Sequence, residues 1–153
     1  MNVIRDLKID IDEALRYLGV KDNAQPALRS EMQRLADELQ SMIQPRFTFR
    51  VFSLKHQERD VLLERSGIAL SGEMSAEMLK NSKKAVLLLC TLGAGFDSML
   101  RSMQARDMSK ALMLDALGSA YVEAACDAAE NELKKDFPES YLTDRFSPGY
   151  GDL

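Results

Sequence analysis

The stretch from Asp107 to about Lys135 limits the fold most, because it reads as one long helix, opened by Asp107 and closed ahead of Pro138. Its middle is built from small residues: Ala116, Gly118, Ser119, Ala120, Ala124, Ala125, Ala128 and Ala129. Small side chains let a neighbouring helix or sheet come close to the backbone. Periodicity of this kind is ordinarily a matter of tight core packing, so this helix is expected to be a core element.

Ahead of it, the elements mix. Val3 to Ile9 alternates apolar and charged residues, a weak strand pattern. Asp10 can cap a short helix through Leu18, and Gly19 supplies the left-handed stop. Pro26 suits the start of a second helix, in which Leu28, Met32, Leu35, Leu39 and Met42 or Ile43 recur at helical spacing until Pro45. Phe47, Phe49 and Val51 then alternate with Thr48, Arg50 and Phe52, a strand with one buried face. Short strands are expected at Val61 to Glu64 and Ile68 to Leu70, around Gly67, followed by a helix from Ala76 to Asn81 capped by Ser75.

The apolar run Ala85 to Thr91 reads as the central strand, and Gly93-Ala94-Gly95 turns it into a helix carrying Phe96, Met99, Leu100 and Met103. Tyr141 to Phe146 reads as a last strand. Helices and strands without regular βαβ alternation predict an α+β fold. The length of 153 residues suits a single domain, 1–153.

Composition narrows the function classes. A net charge of -4 argues against broad, non-specific binding to nucleic acid. The longest apolar run, Ala85 to Cys90, falls far short of the roughly 20 residues that span a bilayer. The N-terminus has no apolar core of signal-peptide length. Cys90 and Cys126 read as strand and helix residues, so no disulfide framework is implied and a reducing cytoplasm is the simplest setting. Neither a membrane nor a nucleic acid is expected as partner.

Chemistry-bearing patterns are sparse. His56 is the one histidine, and the spacing of Cys90 and Cys126 matches no common zinc pattern. No P-loop and no Gly-x-Ser-x-Gly elbow occur. No catalytic residue and no metal ligand is therefore assigned. The Thr91-Leu92-Gly93-Ala94-Gly95 turn puts two glycines between a strand and a helix, where backbone amides can approach an anion. It lacks the rest of a dinucleotide fingerprint, which favours a tight structural turn.

The segment Tyr141 to Asp152 is more informative. Pro148-Gly149 favours a type II turn, which would bring Arg145 and Tyr150 together. Arginine offers a planar fork for a carboxylate, and tyrosine a ring and a hydroxyl. Read alone, such a pair is more often plain surface.

Arg145-Phe146-Ser147-Pro148-Gly149-Tyr150 resembles the Arg-x-x-Pro-Gly-Tyr signature of the vitamin B12-dependent methionine synthase activation domain family. The resemblance extends through Tyr141-Leu142-Thr143-Asp144, the helical run Gly118 to Asp127, Thr91-Leu92-Gly93, Asp107 to Ala111 and Leu15 to Gly19. It is closer to small stand-alone relatives than to the domain within the full enzyme, and strongest from about Ala85 onward. The implied fold is α+β, a curved antiparallel sheet with flanking helices, one of them long and in the C-terminal half.

The implied function is that of an S-adenosylmethionine-binding accessory module for reductive reactivation of a cobalamin-dependent methionine synthase or a related corrinoid protein. Cobalamin would be held by a partner domain or methionine synthase subunit, and a flavodoxin-like protein would donate the electron. Such a chain is an activation domain or subunit rather than a complete enzyme. The alternatives are a corrinoid-linked methyltransferase and a docking module that has lost its ligand.

The resemblance also implies site residues. Arg145 matches the arginine that pairs with the ligand carboxylate, and Tyr150 the tyrosine that closes the motif. Ser147 holds a small-residue position whose backbone meets the ligand. Glu123 falls where the family has a groove-facing acid, suited to the ligand's ammonium or sulfonium charge; a solvated helix face is the other reading of it. The family continues beyond the Gly-Asp that follows the tyrosine, so the domain is expected to be incomplete at its C-terminus. The early Asp-Trp segment of the full enzyme has no counterpart, since this chain contains no Trp.

Overall fold

The computed structural model describes residues 2–5, 7–20, 24–147 and 149. In chain order the elements are β1 (Asn2–Val3), α1 (Ile11–Tyr17), α2 (Pro26–Gln40), β2 (Arg46–His56), β3 (Asp60–Leu63), β4 (Ile68–Ser71), α3 (Glu73–Leu79), β5 (Lys84–Thr91), α4 (Ala94–Gln104) and α5 (Met108–Asp136). The α+β expectation holds, with a curled antiparallel sheet and the long helix where the small-residue stretch placed it. The chain divides into two compact units, Met1–Thr48 with Leu89–Pro138 and Phe49–Leu88 with Glu139–Leu153.

The first unit is built on helices. Asp10 caps α1 by accepting from the Asp12 amide at 2.8 Å, and Gly19 follows at φ +78°. Pro26 opens α2, and Asp107 caps α5 through the Lys110 amide at 3.1 Å. Helices α1, α2 and α4 pack on α5. Ala14, Met32, Leu39, Leu114, Leu117 and Ala125 are fully buried in the shared core. Tyr121 is buried with them, and its hydroxyl donates to the Ala36 carbonyl of α2 at 3.1 Å.

The small residues of α5 do what their size allows. A Cβ at Gly118 would fall on the Phe96 ring of α4. The close approach of α4 to α5 therefore depends on that one missing methyl. Helix α2 stops at Gln40 rather than near Pro45. The Ser41 hydroxyl donates to the Glu38 carbonyl at 2.7 Å, and the Met42 and Ile43 amides fold back on the Leu39 carbonyl, closing the last turn early.

The second unit has a smaller core. Strand β3 pairs antiparallel with the end of β2, from Leu54↔Leu63 to His56↔Val61, and β4 pairs with β3. Helix α3 packs on β3 and β4. Phe52, Val61, Leu63 and Leu79 are its buried apolar residues. Phe52, expected on the outer face of its strand, is thus buried, with the Arg50 guanidinium over its ring at 5.2 Å.

Three expectations are corrected. Ser75 lies inside α3, whose cap is Gly72; the buried Ser75 hydroxyl donates back to the carbonyls of Gly72 at 3.0 Å and Leu70 at 3.3 Å. The central strand is β2, which pairs with β1, β3 and β5, whereas β5 pairs with β2 alone among the described residues. Leu87 and Leu89 of β5 are exposed, so its unbroken apolar run does not mark burial on both faces. Finally, 141–147 forms no strand, because it has no ladder partner.

Candidate functional site

Three of the four residues implied by the resemblance lie among the described residues, on two kinds of backbone. Glu123 belongs to the first unit and sits in the C-terminal half of α5, two positions after the buried Tyr121. It is half-buried. Arg145 and Ser147 belong to the second unit, on the irregular segment after α5, and both are exposed. Tyr150, like Pro148, lies outside the described residues. Gly149 has φ +94°, close to what the third position of a type II turn requires and what only glycine adopts freely.

Glu123 and Arg145 carry opposite charges, and they belong to different units. A guanidinium is the strongest partner for a carboxylate, and an acid on a half-buried helix face suits an ammonium or sulfonium. Among the described residues no cluster of His, Cys, Asp and Glu is arranged to hold a metal, and no helix is long and apolar enough to cross a membrane. Cys90 and Cys126 are not joined in a disulfide.

The Thr91–Gly95 turn is shaped by the chain itself. Gly93 takes φ +90°, its amide donates to the Thr91 hydroxyl at 3.1 Å, and the Leu92 carbonyl accepts from Gln44 at 2.8 Å. A Cβ on Gly95 would stand 3.0 Å from the Met42 carbonyl. Both glycines are accounted for by close backbone approach within the first unit. The tight structural turn is the reading that fits.

Arg65 is a position that no sequence pattern marks. It lies in the β3–β4 turn with φ +63°, while Gly67, the residue expected to bend that turn, has φ +75°. Composition places a turn there but does not tell which positions are left-handed.

No protein-family profile matches the chain. No curated protein matches it either. Among solved structures, it is similar to a crystal structure of the MetH reactivation domain bound to AdoHcy, with a TM-score of 0.58 at 12% identity. The match takes in 92% of this chain and 60% of that one. At that identity the likeness is one of backbone, and what it establishes is that this chain has the fold of the MetH reactivation domain.

Proposed function

We propose that this chain is an S-adenosylmethionine-binding module of the reactivation type, serving a cobalamin-dependent methionine synthase or a related corrinoid protein. The observation that carries this reading is the fold it shares with a domain solved with AdoHcy bound. The resemblance of Arg145–Tyr150 to the activation-domain signature adds support to it. On this reading Arg145 holds the ligand carboxylate and Tyr150 closes over the ligand. The backbone at Ser147 contacts it, and Glu123 faces its positive charge. S-adenosylmethionine supplies the methyl group, and the protein's part is to position it. The partner is a cobalamin-binding domain, with a flavodoxin-like protein as electron source, in the cytoplasm.

Calorimetric titration of the full chain with S-adenosylmethionine tests the proposal. Saturable binding is expected, weakened about ten- to hundredfold by Arg145→Ala, the equivalent of roughly 1.5–3 kcal/mol for a charged hydrogen-bonded pair. Arg145→Lys should recover part of the loss, since it keeps the charge without the fork. No binding at millimolar ligand, or equal affinity of Arg145→Ala, would overturn the proposal.

A further inference from the structure

We draw no further inference here: the strongest candidate, the apolar surface patch on strand β5 where Leu87 and Leu89 stand exposed and β2 is the one pairing strand among the described residues, carries nothing, because nothing in the structure shows what covers it.

Discussion

The two units solve the same problem with different means. In the first, helices close on a deep core, and Leu114, Leu117 and Ala125 have no solvent exposure at all. In the second, a hairpin and one short helix cover a handful of apolar side chains, and Ser75 is buried among them with both its bonds made to backbone. The first unit is intolerant of added volume; the second holds a left-handed arginine in an exposed turn. Dense packing thus goes with helices built on alanine and glycine, and backbone irregularity with the sparser sheet. Arg145 and Ser147 belong to the sparser unit, on a segment free of ladder hydrogen bonds. Exposed side chains on such segments can be exchanged without a core penalty.

The largest effect that could break this contrast is at Leu114. Leu114→Ala should destabilise the protein by about 2–5 kcal/mol, because the surrounding helices cannot collapse into the space. Urea unfolding measures it, and a loss no larger than that of an exposed leucine such as Leu89 would erase the distinction.

Next comes Gly118→Ala. Alanine gains up to about 1 kcal/mol in helix propensity, but the methyl meets the Phe96 ring and overpacking costs roughly 1–3 kcal/mol. A net loss of stability is expected, with partial recovery when Phe96→Leu is added. A stabilised single variant would show that α4 shifts freely on α5.

Tyr121→Phe should cost about 1 kcal/mol, since the Ala36 carbonyl loses its buried donor. Burial, and secondarily the nearby Asp37 charge, raises the Tyr121 hydroxyl above the ordinary tyrosine pKa of 10.0. The unfolded chain therefore ionises first. The contribution is whole below pH 10 and is lost as pH climbs through the higher folded value. Melts between pH 9 and about 11 should show this loss in the parent and not in Tyr121→Phe.

The smallest effect is at Arg145, where alanine should change unfolding free energy by less than about 0.5 kcal/mol, as exposed positions do. A collapsed thermal midpoint would make this residue structural and remove it from the proposed site.

Local signals were readable wherever they acted locally. Asp10, Gly19, Pro26, Gly67 and Asp107 each mark a boundary because cap and turn chemistry is decided within a few residues. What was misread depends on partners distant in the chain. The apolar run of β5 cannot reveal how many strands flank it, and the period of Tyr141–Phe146 cannot supply a neighbour to pair with. Ser75 was misplaced because a buried serine bonded to its own backbone looks, in sequence, like a cap. For the candidate site, the motif containing Arg145 and Ser147 is legible as letters, while the half-burial of Glu123 and the backbone of Arg65 are properties of packing.

The first unit is drawn from two stretches of chain, Met1–Thr48 and Leu89–Pro138, and the larger stretch of the second, Phe49–Leu88, falls between them in sequence. On a ribosome, its early helices emerge long before α5, which completes their core. Hairpin β3–β4, whose contacts are local, can close while α1 and α2 still wait. Refolding followed by pulsed hydrogen exchange should accordingly protect the amides of Val61 to Leu70 before those of Met32 to Leu39. The waiting segments expose Met32, Leu35 and Leu39 to the cell during synthesis, so the helical unit rather than the sheet is where chaperones would be needed.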